Sequence, residues 1–75
     1  MHKTVISWFA EILWEYHRIT GKTFSEMSLD FEVTPSNLYT YREERGNPTA
    51  KTMDKVLRVI KETCPEVLEN IELKL

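Results

Sequence analysis

Apolar residues in this chain recur at steps of three and four, and helix-breaking residues divide them into short runs. Val5, Phe9, Ile12, Tyr16 and Ile19 fall on one stripe, which predicts a helix from about Thr4 to Thr20 stopped by Gly21. Thr23 with Glu26 three residues on has the pattern of a capping box. It opens a second, short helix from about Phe24 to Phe31, with Met27 and Phe31 facing inward together. Thr34 followed by Pro35 begins a third helix that the pattern carries to about Arg45, docked by Leu38 and Tyr41 and ended by Gly46 and Asn47-Pro48. A fourth, from about Thr49 to Thr63, places Met53, Val56, Leu57, Ile60 and Cys64 on one stripe. Pro65 breaks that stripe and starts a last helix carrying Val67, Leu68 and Ile71. Strand-type alternation never persists. The expected fold is all-α, a compact five-helix bundle forming one domain over residues 1–75.

The joint between the second and third helices carries the most information. Met27, Phe31, Val33, Leu38 and Tyr41 are apolar at spacings that let two short helices cross steeply, with Val33 plugging the turn. Ser28 is small where the third helix passes over the second. This pattern predicts a helix-turn-helix over residues 24–45. The outer face of its third helix would carry Ser36, Asn37, Tyr39 and Thr40.

From about Lys22 to Ile60 the chain resembles the phage-repressor and Cro-like, or Xre-type, regulators, on the stretches "TFSEMSLDFEVTPSNLYTYRE" and "GNPTAKTMDKVLRVI". The resemblance implies a lambda-repressor-like DNA-binding domain: a small sequence-specific transcriptional regulator of phage or mobile-element type and homodimeric, and the single unpaired Cys64 fits a reducing cytoplasm. Its third helix would enter the major groove of double-stranded DNA. Asn37 would then read adenine, and Ser36 and Thr40 would meet bases or phosphates. Tyr39 would touch a phosphate or a thymine methyl, with Lys22, Arg42, Arg45 and Lys51 flanking the site. Three departures from the family pattern involve four positions. Glu32 stands where the family has a turn glycine with positive φ, and Phe24 where it often has a phosphate-holding glutamine. Arg42 and Glu44 stand where it often has an acidic residue and a glycine.

Charge qualifies this picture. The 75 residues carry ten Lys and Arg against twelve Asp and Glu, a net charge of −2. Between Lys22 and Lys51 the four cations face Glu26, Asp30, Glu32, Glu43 and Glu44. Phosphate neutralisation supplies most nonspecific DNA affinity, so a monomer of this composition is expected to bind weakly. Clustering of the cations on one face, or a dimer on adjacent half-sites, would offset that. The alternative is an adaptor or inhibitor that uses the same fold as a scaffold for protein contacts and leaves DNA alone.

The first helix adds a second candidate surface. Trp14 lies opposite the Val5/Phe9/Ile12/Tyr16 stripe, and Ala10, Leu13, His17 and Ile6 lie on the flank between. So much apolar circumference exceeds what one core needs, which makes Trp14, Ala10, Leu13 and His17 a candidate partner interface. The competing expectation is that the last helix folds back over this side, with Leu73 or Leu75 as the lid.

Catalytic and metal chemistry find little footing. His2 and His17 are the only histidines and Cys64 the only cysteine, with no zinc-type spacing and no disulfide possible within the chain. Two glycines exclude a phosphate loop, and no nucleophile–base pair stands out, so neither an enzyme nor a cofactor is expected. Cys64 should pack at the end of the fourth helix, and "EVLENIE" should be the solvated face of the last. The run "VISWFAEILW" is interrupted by Glu11, lacks a cleavage site and is too short to span a membrane.

Overall fold

The computed structural model describes residues 4–71, and every regular element in them is helical. In chain order these are α1 (Val5–Thr20), α2 (Phe24–Phe31), α3 (Pro35–Arg42), α4 (Ala50–Thr63) and α5 (Glu66–Asn70). Four of the five start on a threonine whose hydroxyl accepts the backbone N–H three residues on: Thr4 from Ser7, Thr23 from Glu26, Thr34 from Asn37 and Thr49 from Thr52. At Thr23 the box closes, since Glu26 Oε1 also accepts the Thr23 N–H at 3.0 Å. That bond to the ionised form holds the Glu26 carboxyl below its ordinary pKa. Gly21 ends α1 in the left-handed region, at φ 72°.

The turn between α2 and α3 is tight. Glu32 adopts φ 56° there, with its N–H directed at the Leu29 carbonyl, and the Val33 N–H reaches back to the Ser28 carbonyl at 3.0 Å. Ser28 is buried, and its hydroxyl donates to the Ser25 carbonyl, which lets α2 approach its neighbours without a stranded polar group. α3 ends at Arg42, a turn earlier than the apolar pattern suggests. Glu44 takes a second left-handed conformation, φ 61°, and leaves Arg45 outside the helix.

α1 is the central element. α3 packs on one side of it and α5 on another, while α2 bridges α3 and α4, and α4 meets α5. Phe9, Ile12, Leu13 and Tyr16 of α1 are buried together with Met27, Phe31, Leu38, Val56, Ile60 and Val67. Each large apolar side chain so buried contributes roughly 1.5–3 kcal/mol. This corrects the stripe read for α1. Leu13 and Ala10 are core residues, 0% and 4% exposed, whereas Val5 is 42% exposed. Trp8 is half-buried and donates its indole N–H to the Ile71 carbonyl at 3.3 Å, tying the start of α1 to the end of α5. Cys64 is buried where α4 passes into α5. No helix among the described residues is long and apolar enough to cross a membrane.

Candidate nucleic-acid interface

α3 is held from one side. Leu38 is fully buried, and Tyr41 sets its ring edge-on to Phe9 with centroids 5.9 Å apart. Leu38 is the only buried residue of α3. Ser36 and Asn37 are exposed and Tyr39 is 38% exposed, so the free face of the helix is polar and uncharged. Thr40 is half-buried, and its hydroxyl donates to the Ser36 carbonyl at 3.0 Å, so its donor is spent within the helix. Glu43 and Glu44 lie beyond the C-terminal end of α3.

The four flanking cations are not equivalent. Lys22 is paired with Asp30, which also accepts from the Tyr16 hydroxyl at 3.3 Å. The hydrogen bond to Asp30 raises the Lys22 ammonium above its ordinary pKa. Lys22 thus belongs to a network joining α1 and α2. Arg45 and Lys51 are exposed and make no ion pair among the described residues.

Arg42 occupies the most developed environment on this side of the molecule. Its guanidinium carbon lies 4.4 Å from the ring centroid of Tyr39, 4.6 Å from that of Phe24 and 5.3 Å from that of Trp14. Three helices therefore supply aromatic walls to one cation. The Trp14 indole N–H donates to the Arg42 carbonyl at 3.2 Å, completing the clasp. Glu43 Oε1 approaches Nε to 3.2 Å, within ion-pair reach but off the line of the N–H, so the buried Nε has no hydrogen-bond acceptor. The terminal η nitrogens are neither buried nor hydrogen-bonded among the described residues.

This cluster also absorbs the aromatic surplus of α1. Trp14 is 44% exposed, but its ring meets Phe24 edge-on at 4.8 Å. His17 also stacks on Phe24, at 4.9 Å and 23°, and meets Trp14 edge-on at 5.9 Å. Because the Lys22 carbonyl can only accept, His17 Nδ1, 2.6 Å from it, carries the proton and donates. Of the four residues expected to form a partner interface, Ala10 and Leu13 are consequently internal, and Trp14 and His17 face their own chain as much as solvent. The alternative lid, Leu73 or Leu75, lies outside the described residues. Phe24 is the residue whose role the sequence reading missed. In the sequence it stands out as an apolar residue at a helix start and as a departure from the family pattern, and its value depends on Arg42, eighteen positions away.

No three His, Cys, Asp or Glu side chains among the described residues converge to hold a metal ion. No protein-family model, curated protein or solved structure matches this chain.

Proposed function

We propose that the chain is a small sequence-specific DNA-binding transcriptional regulator of the repressor/Cro type. In this reading α2, the turn at Glu32 and α3 form a helix-turn-helix, α3 enters the major groove, and a cytoplasmic homodimer is the working unit. The observation that carries the reading is the asymmetry of α3. It is anchored through Leu38 and Tyr41 and leaves Ser36, Asn37 and Tyr39 on an uncharged polar face. A carboxylate on that face would repel phosphates, and there is none between Pro35 and Arg42. Asn37 is the candidate base reader, and its replacement by alanine should weaken specific binding by about 1–3 kcal/mol.

Electrostatics set the expected strength. Of the four cations expected to flank α3, Arg45 and Lys51 are exposed and make no ion pair among the described residues. Each phosphate neutralised contributes about −0.9 to the slope of log K against log salt, so two give about −1.8 per protomer. The test is a binding titration against duplexes from the neighbourhood of its own gene at several salt concentrations. Binding with a shallow slope supports the proposal, and absence of binding at the lowest salt rejects it.

One observation favours the second reading, an adaptor or inhibitor that binds protein and leaves DNA alone. Leu29 on α2, an apolar side chain, is 80% exposed. That reading predicts no salt-dependent duplex binding and loss of partner capture on Leu29→Ser.

A further inference from the structure

We infer that Arg42 is a preorganised phosphate fork, and that Trp14, Phe24 and Tyr39 are the positioning residues that hold its outer edge toward a DNA backbone. The inference rests on the DNA-binding reading and assigns a role to a cluster that reading does not require.

The argument begins with what an aromatic clasp does to an arginine. A free surface arginine samples many rotamers and gives up that entropy when it grips a phosphate. Here three rings within 5.3 Å of the guanidinium carbon confine it before any ligand arrives. Cation–π contact satisfies the faces of the guanidinium and leaves its in-plane N–H donors available. Nε is buried, while the η nitrogens are not buried and make no hydrogen bond among the described residues. Such an edge matches a phosphodiester, whose two anionic oxygens accept a pair of parallel N–H bonds.

Location supports the same role. Tyr39 and Arg42 stand on α3 three residues apart, and Phe24 is the first residue of α2. The Tyr39 hydroxyl sits 3.4 Å from Ser25 Oγ, so the α2 start and the exposed flank of α3 meet at this clasp. A duplex whose major groove received α3 would bring its flanking backbone to that edge. Glu43 is the internal competitor: it lies near Nε and leaves the η edge unclaimed. Trp14 acts through Arg42 by two contacts, its ring face and its N–H to the Arg42 carbonyl.

The experiment measures duplex binding by fluorescence anisotropy from about 50 to 200 mM salt, for the native sequence and for R42Q, R45Q, K51Q, W14F and W14L, with helicity checked by circular dichroism. Three phosphate-neutralising cations give a slope of about −2.7 per protomer, and R42Q, which keeps a planar group among the rings, returns it to about −1.8. W14L leaves the charge but removes the wall, and several-fold weaker binding is expected. W14F restores a ring and most of the affinity. The inference is overturned if the native protein binds and R45Q and K51Q flatten the slope while R42Q does not. If the native protein binds no duplex, the DNA-binding reading falls and the inference with it. Should R42Q lose its helicity, Trp14 emission decides in a chain carrying W8F. Saturating duplex should shift that emission, and an unchanged spectrum in a chain that binds duplex rejects the fork.

Discussion

Single residues in this chain are set by three kinds of local physics. The first is backbone conformation. Glu32 and Glu44 hold φ near 60°, which costs a residue with a Cβ on the order of 1 kcal/mol relative to glycine. Glu32→Gly and Glu44→Gly should therefore each raise stability by up to about 1 kcal/mol in denaturant titrations, less the greater freedom glycine gives the unfolded chain. The second is protonation. The Glu26 carboxyl titrates below its ordinary value of 4.5 because the Thr23 backbone N–H favours its charged form. Its stabilisation is thus complete above the unfolded pKa and is lost as pH falls through the lower, folded value. Melting temperatures should drop on acidification below about pH 4.5, and Glu26→Gln should flatten that part of the profile. The third is charge near the α3 face. Glu43 lies beside Arg42 at the end of α3, so Glu43→Gln should tighten duplex binding at low salt and leave helicity unchanged. Such effects were legible unequally. The Thr23/Glu26 box follows from residue type and spacing, and the positive φ at Glu32 was implied by the family resemblance, which places a turn glycine at that position. The conformation of the second left-handed residue, Glu44, does not follow from residue type and spacing, because nothing in "YREERG" marks which glutamate must turn.

At the scale of helices, caps explain why the boundaries of α1, α2 and α4 agree with the sequence pattern to within a residue or so. A threonine hydroxyl on an orphan N–H is a local interaction, and local interactions are written in short words. The end of α3 is different. It depends on Glu44 reversing the chain so that the Arg45 N–H reaches the Thr40 carbonyl at 3.0 Å, a contact the apolar spacing does not encode. The buried face of α1 includes Phe9, Ile12 and Tyr16 of the expected stripe but is wider than that stripe, for a tertiary reason. α3 and α5 cover two sides of that helix, so burial extends to Ala10 and Leu13, which a one-sided stripe assigns to the flank. α3 itself is short and has one fully buried anchor. Leu38→Ala should cost about 3 kcal/mol by leaving a cavity, and its effect on duplex binding should exceed that of any exposed α3 residue. Chemical denaturation and anisotropy on the same variant separate the two effects.

For the whole molecule, helical class and helix count were readable from periodicity, whereas the placement of charge was not. A tally of ten cations against twelve anions says nothing about which of them are already engaged. Lys22 is tied to Asp30, Arg42 is walled by rings, and Arg45 and Lys51 stand open. With so few free cations, one protomer would hold DNA weakly, and pairing of two protomers on adjacent half-sites is the expected remedy. Sedimentation should accordingly show a dimer on a two-half-site duplex, and a duplex with one half-site should bind far less tightly. Cys64 offers an independent view of how firmly the molecule holds itself together. It is the only sulfhydryl in the chain and is 7% exposed, at the seam where α4 gives way to α5. An alkylating reagent can reach it readily only when that seam parts. Its rate of modification, followed by mass, would therefore act as a clock for transient opening of the C-terminal end.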